Sequence, residues 1–578
     1  MLRPTKMVKL RFAVLEDYVD DVIRALGKLG VIQFIDFSSA MEEFEGLATP
    51  VGVSEEFVSK VVSLSSRIES LISAAAIKGE AKVKEVPVKL GPSLKVLDEI
   101  QKRLEELKAE YEKVKDDPEE LKKFAEEKGV ELYALKDMVE VERRVHDVKA
   151  SSGKAGKLFI IQGWVPEAKA AETRKTVEQA SEGFYFFEEV KPEVKAHHAH
   201  EEQAAMPPTL IEHRSFITRN YQPFVTAFGY PSYKEIDPTI IMAITFPIWF
   251  GFMFGDVGHG LLLLIGGLYF YWLKRSGIKV PDLLDPIVKG SELLIMCAIS
   301  SIVIGYLFYG VVFGSHEWYE AIYHGGVIAV PAGYEYLAHE IHCPIPLGTL
   351  HHPLFILKMS IYIAFFQIIL GLLLDAINKA SSGEVKHAVL GPLMWLWLYG
   401  TLAALFILYD VTPTTRINTF LKDLFTFNVN ELHIPLPIPP LMLFLLPFVV
   451  MILARMLFEE PIEGFGSSLE ALAASISNTV SYARIFAFFL VHHAVAELGL
   501  AAGIEDLGHW MAVGSYGTAG MAVIIFVLAT TLIMTLELLA TFMQSLRLHW
   551  VEWFLKFYQG TGKKYEPFTF PIRYLSLT

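Results

Sequence analysis

Charged side chains inside long apolar segments are the residues of this sequence best suited to chemistry. Arg484 lies within the apolar segment 469–498, and Glu537 lies within the next one, 517–543. A charge at bilayer depth costs roughly 2.5 to 3.5 kcal/mol on insertion scales, so such residues usually face a partner or a water-filled path. A carboxylate in that position can relay a proton or coordinate a cation. The two segments therefore indicate a site that handles ions.

The polar residues of each segment project onto one face of a helix that turns 100° per residue. The first stripe, about 80° wide, comprises Glu470, Ser477, Ser481, Arg484 and His492, with Asn478 and Tyr482 at its border. The second, about 60° wide, comprises Thr530, Glu537, Thr541 and Gln544, and Arg547 follows near the end of the helix. Because polar groups facing lipid are costly, both stripes should face protein or water.

Packing alone is the alternative explanation for these residues. Arg484 and Glu537 could form a buried ion pair, but such pairs add little net stability, which makes a purely structural role less favoured. Arg547 could instead extend its charge to the membrane surface. His492 could equally be a satisfied polar residue between helices.

Composition divides the chain of 578 residues, which is 52% hydrophobic and carries a net charge of −14, into two regions. About a third of the residues up to 235 are charged, against about an eighth afterwards. We predict a cytoplasmic domain at 1–235 and an all-α membrane domain at 236–578. The acidic balance argues against nucleic acid as a partner. The two cysteines do not indicate a disulfide framework.

A helix that spans a membrane needs about 20 mostly apolar residues. Eight segments of the second region are apolar over roughly this length. They are 238–254, 257–273, 291–313, 354–374, 388–408, 437–453, 469–498 and 517–543. Lys and Arg are frequent between the second and third segments and in the C-terminal tail, and absent from the loop 314–353. The positive-inside rule then places both termini in the cytoplasm, and no signal peptide is recognised. Six histidines of that loop are expected to be a surface feature rather than a metal site: His316, His324, His339, His342, His351 and His352.

The first region predicts an α+β domain with two small α/β lobes, at 1–40 and 155–192, each a strand, a helix and a strand. Between them, at about 53–150, apolar residues recur with heptad spacing and indicate an antiparallel coiled-coil arm. The two series are Phe57, Val61, Leu64, Ile68, Leu71 and Ala75, and Leu97, Ile100, Leu104, Leu107, Tyr111 and Val114. An ordinary helical bundle is the alternative, since each series is short. A metal site at His197, His198 and His200 of the polar linker 195–206 is disfavoured.

Several motifs resemble the membrane stator subunit of rotary V-type and archaeal A-type ATPases, called subunit a or subunit I. They are 228–239 (FGYPSYKEIDPT), 246–260 with Phe246-Pro247, Gly255-Asp256 and Gly258-His259-Gly260, Ser481-Tyr482-Ala483-Arg484 with His492, Glu537 with 545–552 (SLRLHWVE), 565–568 (YEPF), and 163–166 (GWVP). The cytoplasmic half is shorter than is usual in that family, whose arm has longer coiled-coil helices and a larger distal lobe.

The resemblance implies an ion-translocating subunit that is not itself catalytic. Arg484 would face a rotor ring of small membrane proteolipid subunits and separate two aqueous half-channels. Glu537, His492 and Arg547 would take part in translocation, with Glu470, Ser477, Asn478, Ser481, Tyr482, Thr541 and Gln544 as half-channel lining. The transported ion would be H⁺ or Na⁺, and the arm would anchor peripheral stalk subunits.

The chain itself is expected to bind no cofactor or metal, and it contains no phosphate-binding glycine motif. Two other functions remain open on the residues alone. A secondary ion transporter would have its own substrate site, typically with internal repeats. A membrane-anchored coiled-coil scaffold would leave the two polar stripes unexplained.

Overall fold

A computed structural model of the chain describes residues 3–38, 48–75, 86–88, 93–115, 117–190, 206–211, 215–278, 280–282, 284–314, 353–408, 440–458, 460–503 and 516–577. The chain divides into two compact units. We call Thr5–Ile211 with Gly562–Thr578 the arm unit, and Met1–Pro4 with Glu212–Thr561 the helical unit. The predicted division at residue 235 concerns where the membrane begins and stays a prediction. The six loop histidines and the linker histidines lie outside the described residues.

The arm unit contains eight described strands and five described α-helices. Its strands are β1 Met7–Leu15, β2 Gln33–Ile35, β3 Thr49–Pro50, β4 Val86–Val88, β5 Gly153–Ala155, β6 Leu158–Pro166, β7 Tyr185–Val190 and β8 Leu575–Leu577. Its helices are α1 Val19–Leu29, α2 Glu55–Ala74, α3 Ser93–Val114, α4 Pro118–Ala150 and α5 Ala170–Ala180. Short 3₁₀ turns, Glu16–Tyr18 and Glu167–Lys169, precede α1 and α5.

One antiparallel sheet unites the two predicted lobes, so their prediction as separate lobes is wrong. The sheet order is β3-β5-β6-β1-β7, and β2 also pairs with β6. Strands β1 and β6 pair along their whole length, from Met7 opposite Pro166 to Leu15 opposite Leu158. The inward-facing residues of β1 are buried in a core shared with α1, α4 and α5. A lobe with only two strands would be marginally stable by itself. Joining the strands of both predicted lobes in one sheet buries one apolar face.

The heptad residues of α2 and α3 are buried as their spacing predicts, apart from the half-buried Tyr111 and Val114. They do not pack as a pair, however, because Leu132, Leu135 and Val139 of α4 complete the same apolar cluster. Three helices therefore share this core, which corresponds to the bundle alternative. A two-helix coiled coil stays an unconfirmed prediction.

A buried ion pair links α1 to α4 in the arm. The Arg24 guanidinium donates to both carboxylate oxygens of Glu142, with Nη2 at 2.8 Å from Oε1 and 2.9 Å from Oε2. Burial raises the pKa of the Glu142 carboxyl, against the opposing effect of Arg24. The charged form of Glu142 thus depends on its arginine partner.

We expect Arg24→Ala to destabilise the arm by about 3–5 kcal/mol, because it leaves a buried carboxylate without its counter-charge. Lys136→Ala is the matched control, since Lys136 pairs with Glu69 on the exposed surface and such pairs contribute about 0–1 kcal/mol. Hydrogen exchange of the β1 and β6 amides in the intact protein measures the difference. Equal exchange rates in the two variants would contradict this expectation.

The helical unit contains thirteen described α-helices. They are α6 Phe216–Arg219, α7 Gln222–Phe228, α8 Thr239–Met253, α9 Val257–Ser276, α10 Asp285–Lys289, α11 Ser291–Ile304, α12 Pro353–Ser381, α13 Val385–Ala388, α14 Met394–Leu408, α15 Pro440–Phe458, α16 Pro461–Ser481, α17 Ala483–Gly503 and α18 Tyr516–Arg547. Three π-helical segments, Gly305–Tyr309, Val389–Leu393 and Leu548–Trp553, continue or connect these helices. A 3₁₀ turn, Phe554–Lys556, follows the last of them.

Helices occupy all eight predicted apolar segments, but they differ in length. Among the described residues, four helical stretches are long and apolar enough to cross a membrane: Val257–Ser276, Ser291–Tyr309, Ile356–Ser381 and Pro461–Ala496. Two further helices, Thr239–Met253 and Phe444–Phe458, are apolar but shorter. The count of eight spans therefore stays a prediction.

Candidate ion-translocation site

The helix that carries Arg484 is interrupted at Tyr482. Helix α16 ends at Ser481, α17 begins at Ala483, and the Ile485 amide donates to the Tyr482 carbonyl at 2.9 Å, three residues back instead of four. The Tyr482 side chain is fully buried, and its hydroxyl donates to Oε1 of Gln367 on α12 at 3.0 Å. The predicted single helix is thus two helices joined at an anchored tyrosine.

The predicted stripe consequently lies in two different environments. On α16, Glu470 and Ser477 are exposed, whereas His492 on α17 is buried. The buried polar face of α16 is another one: Ser475 accepts from the Trp395 indole at 2.8 Å, and the Thr479 and Tyr399 hydroxyls are 2.7 Å apart. Because these bonds hold α16 against α14, the face with Glu470 and Ser477 is turned away from the described protein.

Arg484 lies where these environments meet. Its side chain is 22% exposed, and its Nη2 lies 3.1 Å from Oε1 of the buried Glu552. Its Nη1 is also buried but has no hydrogen-bond partner among the described residues. Beside it a surface groove of about 580 Å³ is lined by Ser477, Val480, Ser481, Ala483, Arg484 and Ala487. The guanidinium is therefore anchored by Glu552, and the partly exposed Arg484 side chain lines an open groove of mostly small residues.

The alternative of an Arg484–Glu537 ion pair is wrong in this structure. Glu537 contacts His492 instead, with its Oε2 2.6 Å from Nδ1 of the imidazole. The partner of Arg484 is Glu552 in the π-helical segment Leu548–Trp553. Sequence reasoning gave Glu552 no role, although it lies fifteen residues after Glu537 and projects within about 60° of it. Extending the second stripe beyond the apolar segment would have included it.

The His492–Glu537 pair borders a fully buried aspartate, Asp256. Asp256 caps the N-terminus of α9, and its carboxylate accepts from the backbone amides of His259 at 2.9 Å, Phe313 at 2.9 Å and Gly314 at 2.6 Å. Its Oδ2 lies 3.3 Å from Nδ1 of His259 and 4.0 Å from Nε2 of His492. Asp256, His259 and His492 thus form one buried cluster, with the half-buried Glu537 of α18 at its edge.

Glycines allow α9 to approach the chain after α11 this closely. A Cβ at Gly258 would lie 2.5 Å from the Phe313 ring, and one at Gly255 would lie 2.4 Å from the Tyr309 ring. At Gly266, farther along α9, a Cβ would meet nothing within 4 Å. A side chain at Gly255 or Gly258 would therefore clash with a neighbouring ring, whereas a side chain at Gly266 would not.

We expect Gly258→Ala to destabilise the helical unit by about 1–3 kcal/mol through overpacking against Phe313. Gly266→Ala, on the same helix, should be neutral or stabilising by up to about 1 kcal/mol, because alanine favours a helix. Thermal unfolding of the detergent-solubilised protein compares the two variants. A Gly258→Ala protein as stable as Gly266→Ala would show that the contact can relax.

The remaining predicted residues are distributed unevenly. Thr530 and Thr541 of α18 are buried, and Gln544 is half-buried with an Oε1 that has no partner among the described residues. Asn478 and Ser481 are half-buried, whereas Arg547 is exposed. The structure therefore brings Glu537 and His492 together but does not join them to Glu470 or Arg547.

These features define a class of membrane protein with ionisable groups held between apolar helices. A profile of the V-type ATPase 116kDa subunit family matches residues 81–327 and 462–570. The A-type ATP synthase subunit I of Methanocaldococcus jannaschii is 25% identical over 463 residues, covering 77% of this chain and 60% of that protein. The V-type proton ATPase subunit a1 of Arabidopsis thaliana is 26% identical over 505 residues, covering 72% and 58%. The A-type ATP synthase subunit I of Archaeoglobus fulgidus is 31% identical over 395 residues, covering 63% and 53%.

The chain belongs to the V-type ATPase 116kDa subunit family, because the profile matches more than half of its residues. The resemblance inferred from the motifs around Asp256, Arg484 and Glu537 is thereby confirmed. The matches cover about 60% of the length of the first curated relatives.

Proposed function

We propose that this chain is the membrane stator subunit of a rotary ATPase of the A or V type. It would form two aqueous half-channels against a ring of small proteolipid subunits and couple H⁺ or Na⁺ translocation to ring rotation and ATP hydrolysis or synthesis. The observation that carries this proposal is the anchored Arg484 at an open groove, on helices that also hold the buried His492 in contact with Glu537. ATP chemistry would belong to other subunits.

Arg484 would act as a fixed positive charge. Glu552 holds one edge of the guanidinium, and the side chain, 22% exposed, lines the groove along which a carboxylate of the ring would pass. An opposite charge at that distance favours the ionised carboxylate and so promotes proton release from the ring. Since arginine stays protonated in proteins, it would also block direct proton passage between the half-channels.

The groove suits a helix of the ring as partner. Ala483 and Ala487 present small side chains beside Arg484, and small residues let membrane helices approach closely. The exposed Glu470 and Ser477 on the same side of α16 would line the approach, with Asn478 and Ser481 half-buried behind them. Arg547, exposed at the end of α18, would contact the ring or an acidic group near it.

The His492–Glu537 pair would form part of one half-channel. A histidine and a carboxylate 2.6 Å apart can pass a proton between them without moving their backbones. Tyr482, Thr541 and Gln544 would supply polar lining around this step. Na⁺ remains an alternative cargo, because the ring site that would select the ion belongs to another protein.

The arm unit would anchor peripheral stalks against the torque of the ring. Its three-helix core and its larger sheet each bury an apolar cluster, which suits a part that transmits force. Both termini would be cytoplasmic and the helical unit would span the membrane several times, in the cell membrane if the source is prokaryotic. Exposed Leu261, Ile265 and Leu268 on α9 would then contact lipid.

Purification through a tag on this chain tests the proposal as a whole. We expect a small, very apolar ring protein and stalk subunits to co-purify, and vesicles with this complex to take up H⁺ or Na⁺ when ATP is added. Ion transport by the isolated chain without ATPase subunits would favour a secondary transporter. Absence of both transport and a ring protein would favour a scaffold.

A further inference from the structure

The buried cluster at the start of α9 offers donor atoms of the kind that bind metal ions. Asp256, His259 and His492 can each contribute one ligand atom, and these atoms all lie within 4.8 Å of one another. All three residues are buried, and they come from the cap of α9, from α9 itself and from α17. Residues far apart in sequence thus converge on one small volume.

We propose that Asp256, His259 and His492 bind a divalent transition-metal ion with the preferences of Zn²⁺. Two imidazoles and one carboxylate form a donor set that zinc accepts, leaving a fourth position for water. Magnesium and calcium prefer oxygen ligands, so the two imidazoles disfavour them.

The distances suit a tetrahedral ion after a small adjustment. Zinc bonds of about 2.0–2.1 Å place neighbouring ligand atoms about 3.3 Å apart in a tetrahedron. Asp256 Oδ2 and His259 Nδ1 already lie 3.3 Å apart. His492 Nε2 lies 4.0 Å from the same oxygen, about 0.7 Å beyond the tetrahedral separation. Since the three ligand atoms all lie within 4.8 Å of one another, the imidazole of His492 would need to move by about an ångström to complete the site.

The orientation of His492 is the second, independent observation. A histidine that binds a metal usually donates its other ring N–H to a carboxylate, which fixes the tautomer. His492 has that arrangement, because its Nδ1 lies 2.6 Å from Oε2 of Glu537. Its Nε2 is buried and has no hydrogen-bond partner among the described residues. With the proton on Nδ1, the lone pair of Nε2 is buried beside the cluster and accepts no hydrogen bond from the described residues.

Asp256 is held in place in a comparable way. Three backbone amides, from His259, Phe313 and Gly314, donate to its carboxylate. Oδ2 receives only the Gly314 amide among these donors, and a carboxylate oxygen has room for a second partner. The ligand oxygen is thus oriented by the fold before any ion arrives.

An ion at this place would tie α9 to α17 through His492. Because His492 belongs to the proposed half-channel, occupancy should block ion transport; this consequence, unlike binding itself, rests on the proposed function. Gly314 begins the loop 314–353, which the positive-inside rule places on the side opposite the cytoplasm. The ion would therefore enter from that side.

Cobalt binding to the whole purified complex tests the site directly. Co²⁺ in place of Zn²⁺ gives visible absorption with an intensity typical of tetrahedral coordination. We expect stoichiometric binding that Zn²⁺ displaces, weakened more than tenfold in His259→Gln. Glu537→Gln removes only the carboxylate behind His492 and should weaken binding about 10–100-fold. His387→Gln, at an exposed histidine on α13, is the control and should bind as the unchanged protein does.

Equal cobalt spectra and affinities in wild type and His259→Gln would overturn the proposal, as would the absence of binding in an assembled wild-type complex. A second measurement uses vesicles with Zn²⁺ on one side at a time. Zinc on the non-cytoplasmic side should inhibit wild-type ion uptake reversibly on chelation, while His259→Gln should resist it. If the complex does not transport ions at all, the cobalt spectrum still decides the metal site, so the two failures are distinguishable.

Discussion

Replacing Arg484 by alanine is expected to reduce ATP-driven ion uptake by about three powers of ten. Two unit charges 4 Å apart interact by about 4 kcal/mol at an effective dielectric constant of 20, and that energy corresponds to roughly this change in rate. The measurement is ion uptake into vesicles that hold the whole complex, normalised to the amount of ring protein. Arg275→Ala, at an exposed arginine at the end of α9, is the control and should leave uptake unchanged.

Loss of Arg484 alone would also leave Glu552 buried without its partner, and this can destabilise assembly by about 3–5 kcal/mol. The double variant Arg484→Ala with Glu552→Gln removes both charges and separates the two effects. We expect it to assemble better than Arg484→Ala but to transport no ions. Restored uptake in the double variant would make Arg484 a packing residue and reopen the transporter and scaffold interpretations.

Glu537→Gln is expected to slow ion uptake by about ten- to a hundredfold, at the low end of what a positioned proton-transfer group contributes. The amide keeps a polar contact with His492 but can neither accept nor release a proton at physiological pH. The initial rate of ATP-driven uptake is the readout, with Glu463→Gln on the exposed start of α16 as the matched control. An unchanged rate would remove Glu537 from the ion path.

Glu537→Asp distinguishes proton transfer from packing at the same position. Aspartate retains the carboxylate but is shorter by one methylene, so it should lengthen the 2.6 Å contact with His492. We expect a rate between those of the wild type and Glu537→Gln. A Glu537→Asp protein as slow as Glu537→Gln would indicate that the contact distance, rather than the titratable group, is decisive.

The spacing of apolar residues predicted the helices and strands of this protein well. It predicted less well which of them pack or pair with one another. Most heptad residues of α2 and α3 are buried because their spacing places them on one helix face. The third helix of that core, α4, has buried residues that sequence reasoning did not assign to it. Strands β1 and β6 were predicted as the first strands of the two lobes, but the sequence of a strand does not specify its partner, and their pairing across some 140 residues followed only from the fold.

The same limit applies to the candidate site. Projection on a helix placed Arg484 and His492 on one stripe, which assumes unbroken helical geometry. In the structure the helix is interrupted at Tyr482, and the same stripe is exposed at Glu470 and Ser477 on α16 but buried at His492 on α17. Which part of the stripe is covered depends on the neighbouring helices, which the projection does not include.

The sequence by itself determined that charged groups lie inside apolar helices, because a charge in such a segment is visible from composition alone. It also identified the family, since the motifs around Asp256, Arg484 and Glu537 are contiguous in the chain. Only the tertiary structure decided which charges meet: Arg484 with Glu552, and Glu537 with His492 beside Asp256. The physical reason is that an ion pair or a metal site depends on contacts of a few ångströms, and packing between helices sets those contacts.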